Sequence, residues 1–167
     1  MGKYQNGVGL MEVLVGLVLL AIAVLGFSAL QLRGVYASVE AANNTQAMHL
    51  GRDLAERIRA NRSGYEALNK NNVYVEGKGE CYSGFCEPKD FAEADFLQIR
   101  NKAENLGMKV ALRDCQGVGT VSMKRRCIYV AWDKTTPTDG QAKNDCTSGA
   151  AYNVGAKCII MELYNYE

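Results

Sequence analysis

One histidine, two prolines and one tryptophan occur among the 167 residues, and each scarcity excludes something. His49 alone cannot supply the paired imidazoles of many metal and acid–base sites, and its place in a helical stretch reads as a solvated or packed helix residue. Both prolines, Pro88 and Pro137, come late, so nothing in the first half breaks a helix by removing a backbone donor. Charge of one sign is also lacking: the formal net charge is +1, which gives no electrostatic case for binding nucleic acid. No Gly-rich phosphate loop, Gly-x-Ser-x-Gly elbow or nucleophile–base pairing is visible. Glu80, Glu87, Asp90, Glu93 and Asp95 read as a solvated acidic segment. The chain is therefore expected not to be an enzyme and to need no cofactor.

Charge is scarcest near the N-terminus. Between Val8 and Leu30 the only charged side chain is Glu12, and from Val13 to Leu30 the only polar one is Ser28. That run matches the roughly 18–20 residues a helix needs to cross the hydrocarbon core. A secretory signal has a shorter apolar region, about 7–15 residues, followed by a small-residue cleavage site. Here the run continues into Gln31-Leu32-Arg33, and Lys3 is the only charge before it. A plain membrane anchor accounts for the run but leaves Glu12 without a purpose, since an ionisable group at membrane depth costs about several kcal/mol.

The stretch Gly7-Val8-Gly9-Leu10-Met11-Glu12-Val13-Leu14-Val15 resembles the processing site of type IV prepilins. Val8 stands where that family usually has Phe, and Gly9 where it often has Thr. The resemblance implies that a prepilin peptidase cuts after Gly7, that the new amine of Val8 is methylated, and that Glu12 is the fifth-position carboxylate. It also implies a cut on the cytoplasmic side, with the apolar segment kept as an anchor. The physics suits this. The freed amine of Val8 lies four residues before Glu12, and residues at i,i+4 share a helix face. Opposite charges attract far more strongly in low dielectric than in water. The amine of Val8, or that of a neighbouring subunit, can partner the carboxylate, and a buried ionic pair of this kind sets register. Lys3 and Arg33 flank the span one apiece, so the positive-inside rule is indecisive.

Six cysteines, Cys81, Cys86, Cys115, Cys127, Cys146 and Cys158, all follow the span. An even count confined to that part argues for an oxidising compartment and a disulfide framework. Sequence allows many connectivities; pairing of sequential neighbours, Cys81–Cys86, Cys115–Cys127 and Cys146–Cys158, is the expectation. Zinc is the rival, but Cys81-x4-Cys86 is wide for a zinc pair and the other spacings are not knuckle-like. No metal is expected.

Beyond Leu30, the positions Val35, Val39, Ala42, Ala47, Leu50, Leu54 and Ile58 recur at mostly three- or four-residue steps, a helical stripe. Arg52–Glu56 and Asp53–Arg57 are i,i+4 pairs worth a few tenths of a kcal/mol each. The expected stop is Asn61-Arg62-Ser63-Gly64, with Gly64 as C-cap, and Gly34 and Gly51 are points where the helix could bend. Asp53-Leu54-Ala55-Glu56-Arg57-Ile58-Arg59-Ala60-Asn61-Arg62, followed by Tyr65, resembles the segment closing the long helix in minor pilins of the type IV pilus modification protein PilV family. Downstream, Val73–Val75 is a strand candidate and Phe91–Leu106 a helix stopped by Gly107. Lys109–Arg113, Cys127–Trp132 and Lys157–Tyr164 are further strands, the first two forming a hairpin around Gly117-Val118-Gly119. Asp133–Ala156 reads as a long Thr-, Asp- and Asn-rich loop, the place pilins call the D-region.

The expected fold class is α+β, the type IV pilin fold: a long N-terminal α-helix packed on an antiparallel β-sheet with disulfide-stapled loops. Residues 1–7 are the leader, 8–32 the transmembrane or filament-core half of the helix, 33–62 its amphipathic half and 63–167 a globular periplasmic head. The resemblance implies a minor pilin in a complex that primes pilus growth. Its implied partners are other minor pilins, the major pilin, the prepilin peptidase and an inner-membrane assembly platform. It would span the inner membrane once, then join the pilus. The alternatives are a pseudopilin of a type II secretion system and a membrane-anchored adhesin.

Overall fold

With no proline before Pro88, the chain runs as one helix, α1, over Leu10–Ala60. The computed structural model describes residues 9–68, 73–74 (backbone only), 81, 84–116 and 125–163. Gly7, Val8, Val75, Glu80, the expected turn at Gly117-Val118-Gly119 and Tyr164 lie outside the described residues. The chain divides into two units, one ending at Ala42 and one beginning at Asn43.

In the first unit α1 is apolar on every side over residues 13–30. An 18-residue window within the helix has mean hydropathy 2.8 and no buried residue. The one polar side chain of that run, Ser28, donates to the carbonyl of Val24 at 2.9 Å, so it presents no unmet donor to an apolar surrounding. Val35, Val39 and Ala42, expected at the start of the packed stripe, are exposed.

In the second unit the packed stripe comprises Ala47, Leu50, Gly51, Leu54, Ala55 and Ile58. Gly51 is not a bend. A Cβ there would sit 3.2 Å from the Met161 methyl, so the glycine permits close approach of helix and sheet. The helix ends at Ala60, but Gly64 is not its cap. Arg62–Leu68 forms a second helix, α2. Asn61 caps it, its Oδ1 accepting from the Gly64 amide at 3.3 Å while its Nδ2 donates to the Pro88 carbonyl at 2.6 Å. Gly64 lies against that same carbonyl, where any Cβ would overlap it. The glycine that resembled a stop is a contact requirement.

β1 is Val73–Tyr74, and α3, Pro88–Asn105, begins with proline at its first position, where the missing N–H costs nothing. Gly107, at φ +69°, closes it, its amide donating to the Glu104 carbonyl at 2.9 Å. β2 (Met108–Asp114), β3 (Arg126–Trp132) and β7 (Cys158–Leu163) follow the expected strands within a residue or two. The sheet order is β1-β2-β3-β7, antiparallel throughout.

Every residue of β3 is buried, so both faces of the sheet centre are covered. Ile128, Val130 and Trp132 join Leu50, Leu54, Phe96 and Ile99 in the main core. Cys127, Tyr129 and Ala131, pointing the other way, join Cys146 and Cys158 in a second cluster. That outer face is covered by what the sequence presented as a loop. Within residues 133–156 lie β4 (Thr136–Asp139), β5 (Asp145–Ser148) and β6 (Ala151–Tyr152), a second sheet in that order. Its strands are polar and short, so no hydrophobic alternation advertises them.

Candidate functional site

Glu12 lies in the first turn of α1, its amide donating to the Gly9 carbonyl at 2.9 Å. Unpaired N–H groups and the aligned peptide dipoles favour negative charge there. The site residues Gly7 and Val8 lie outside the described residues, so the pairing of the Val8 amine with Glu12 remains an expectation. Around Glu12 the helix offers apolar surface only. Even the least exposed large side chains among residues 10–32, Val15 and Val18, are 50% exposed. At about 1.5–3 kcal/mol for each buried large apolar side chain, removing this segment from water is worth tens of kcal/mol. A helix hydrophobic all round belongs inside something larger. The first unit is thus a helix awaiting a partner, with one carboxylate at its start.

The second unit is cross-linked within itself. The three bonded cysteine pairs are Cys81–Cys86, Cys115–Cys127 and Cys146–Cys158, with Cα separations of 6.0, 5.0 and 5.9 Å. Cys115–Cys127 ties the end of β2 to β3, and Cys146–Cys158 ties the second sheet to β7. Each of these two closes a loop with a sequence separation of 12, worth about 3 kcal/mol by chain entropy. Among the described residues no cluster of three or more His, Cys, Asp or Glu is placed to hold a metal, and His49 is an exposed helix residue.

Polar pairing holds the second sheet. Asp139 accepts from the Thr147 hydroxyl and the Gly149 amide, both at 2.8 Å. Asp145 accepts from the Thr138 hydroxyl at 2.5 Å and the Ala142 amide at 2.9 Å. Asn153 donates to the Asp145 carbonyl at 2.9 Å. Burial of the Tyr129 phenol beneath this sheet pushes its pKa up, with a hydrogen bond to Thr147 opposing.

A second polar arrangement joins α1 to α3. Asp95, read from sequence as part of a solvated acidic segment, is 8% exposed and accepts from Arg57 at 2.5 Å. Arg57 also reaches Gln98 at 3.2 Å and Asp53 at 3.0 Å, and Lys102 reaches Asp53 at 3.2 Å. With the Asn61–Pro88 bond, the positions 53, 57 and 61, one helical turn apart, form a ladder onto α3. Burial works to raise the Asp53 carboxyl, but hydrogen bonds and charge from Arg57 and Lys102 win and hold it below its usual value. Burial opposes the charge on Arg57 too, and Asp53 and Asp95 more than compensate, so its pKa is raised. The expected Arg52–Glu56 pair is replaced: Glu56 pairs with Arg59, and Arg52 turns to the Met48 sulfur.

Sequence reasoning found Glu12 because its anomaly is local. It missed Asp95, whose partner lies 38 residues away, and it missed Arg126, which opens β3 and is buried. An acid on the same helical stripe as Ile99 and Ala103, at i,i+4 spacing, was the available signal for the first; the strand-start position was the only one for the second.

Residues 29–97 match the family model described as Tt1218-like, type IV pilin Tt1218. The match begins within the apolar run, covers the rest of α1, all of α2 and β1, and stops inside α3, so Glu12 and strands β2 to β7 lie outside it. No curated protein and no solved structure matches the chain. The long N-terminal helix, the antiparallel sheet and the disulfides together make the α+β fold of type IV pilins, and the match supports a pilin-like, structural role.

Proposed function

We propose that the chain is a minor type IV pilin, matured by cleavage between Gly7 and Val8 and N-methylated at Val8. Held in the inner membrane by residues 8–32 with its head in the periplasm, it joins other minor pilins in a complex that primes growth of the major-pilin filament. The prepilin peptidase and an inner-membrane assembly platform are its processing and assembly partners, and the role is structural, without catalysis. The observation that carries this reading is a helix apolar on every side with one carboxylate in its first turn. A membrane anchor needs the first feature only. A subunit that must stop at a fixed height beside its neighbours needs both, because a charge in an apolar bundle is tolerated where a partner meets it.

Mass spectrometry of the protein from its native membrane is the test. A mature chain beginning with methylated Val8 is expected, and an intact Met1 overturns the reading in favour of a simple anchored adhesin. Deletion separates the pilin from a pseudopilin of a type II secretion system: loss of surface pili and twitching is expected, whereas normal pili with lost enzyme export assigns it to secretion.

A further inference from the structure

The three disulfides differ in what surrounds them. Cys146 and Cys158 are buried, at 0% and 9% exposure, and Cys127 is buried at 4%. Both of those pairs, Cys115–Cys127 and Cys146–Cys158, pack in the second core cluster. Cys81 and Cys86 are each partly exposed and belong to neither cluster. Their bond closes a sequence separation of only 5, and neither residue lies in a helix or strand. Helix α3 begins just beyond Cys86 but is held by its own bonds, from Asn61 to the Pro88 carbonyl and from Arg57 to Asp95.

That contrast decides which bond a thiol can open. A thiolate attacks one sulfur in line with the S–S bond, and the other sulfur leaves as a thiolate. Approach needs open space, and a leaving thiolate needs water, because apolar surroundings raise the thiol pKa. Cys146–Cys158 meets neither need. Cys115 is the more open sulfur of its pair, yet attack there expels a thiolate from Cys127 into the core. Cys81–Cys86 meets both needs at either end. Beside it stands Phe85, fully exposed at 107%, a large apolar ring next in sequence to Cys86.

We propose that Cys81–Cys86 is a thiol–disulfide exchange site for a dithiol protein with an apolar surface beside its reactive cysteines, and that Phe85 is the contact for that surface. One thiolate of the dithiol protein attacks the Cys86 sulfur, the S–S bond breaks, and Cys81 leaves as a thiolate. A mixed disulfide then joins the two proteins. The second thiolate of the dithiol protein attacks that bond and releases Cys86. Two electrons and two protons have passed to this chain, which holds two thiols, and the dithiol protein is left as a disulfide. Both sheets and the bonds between α1 and α3 stay in place, because neither cysteine belongs to them.

The test uses the full-length chain in detergent micelles with its three disulfides intact. Samples taken during reduction by dithiothreitol are alkylated and mapped by peptide mass spectrometry. Cys81 and Cys86 should become alkylated about tenfold or more faster than either other pair. Meanwhile the emission of Trp132, the sole tryptophan and 4% exposed, should stay unshifted. Thioredoxin then serves as the protein dithiol. Phe85→Ser should slow its reaction about fivefold or more through loss of an apolar contact, and leave the dithiothreitol rate unchanged. The double substitution Cys81→Ser with Cys86→Ser should remove the fast phase and keep the Trp132 emission of the parent. Equal rates at the three pairs, earlier opening of another pair, or a shifted Trp132 emission once Cys81 and Cys86 are open overturns the proposal. So does an unchanged thioredoxin rate in Phe85→Ser.

Discussion

Residues 10–32 and 47–58 of α1 share one backbone geometry and have opposite surroundings. In the first stretch every large apolar side chain is at least half exposed, and Ser28 bonds to its own helix. In the second, Ala47, Leu50, Leu54 and Ala55 are at most 3% exposed, and Gly51 brings the backbone down onto Met161. One half is completed within the chain and the other is left for a partner. Helicity alone says nothing about which is which; the angular spread of apolar residues does. A narrow stripe with small residues marks intramolecular packing, and apolarity all round marks burial in lipid or among other helices.

Substitution can break that contrast. Leu54→Ala should cost the head about 2–5 kcal/mol, read from the urea midpoint of the full chain in detergent, while Leu20→Ala should leave that midpoint unchanged. Equal losses at both sites would mean that the first half is also packed within the chain. Next in size, the double substitution Cys146→Ser with Cys158→Ser should cost about 3 kcal/mol by freeing the second sheet from β7; a thermal melt matching the parent would show that polar pairing alone holds it. Glu12→Ala sharpens the comparison from the other side. Head stability should be unaffected, while incorporation into filaments falls about tenfold, the equivalent of about 1.4 kcal/mol per subunit. Quantitative immunoblotting of sheared filaments reads it, and normal incorporation removes the register role given to the carboxylate.

The smallest effect is a pH dependence. The Asp53 carboxyl is held below its usual value in the folded chain, so the unfolded chain binds the proton more readily. The stability this adds is fully present above about pH 5 and is lost as pH falls through about 4 and below. Urea midpoints from about pH 6 to pH 3 should fall less in Asp53→Asn than in the parent. An identical pH slope in the two proteins would place the acid sensitivity elsewhere.

Much of the architecture was legible because the signals were local or periodic. The helix α1, the body of α3 from Phe91 and its stop at Gly107, and strands β2, β3 and β7 all announce themselves through spacing and caps; the first turn of α3, from Pro88, did not. Three features did not. Helix α2 was hidden because Gly64 has the composition of a stop but serves as a contact against the Pro88 carbonyl. The second sheet was hidden because its strands are held by Asp139, Asp145 and Asn153 and not by alternating apolar residues. Asp95 was misread as solvated because its cation is on another helix. In each case the missing information was a partner distant in sequence. Glu12 shows the reverse: an anomaly in its own neighbourhood needs no distant partner to be noticed.

The ladder from Asp53, Arg57 and Asn61 onto α3 has a mechanical consequence. Its rungs are contacted by Lys102, by Gln98 and Asp95, and by Pro88, so α3 runs past α1 in the opposite direction. A pull along the axis of residues 43–60 loads these bonds sideways and together, in shear, and they must yield as a group. A sideways pull at Asn61 would instead unzip them one at a time. Tension applied along the axis of residues 43–60 therefore meets these bonds in their strongest arrangement.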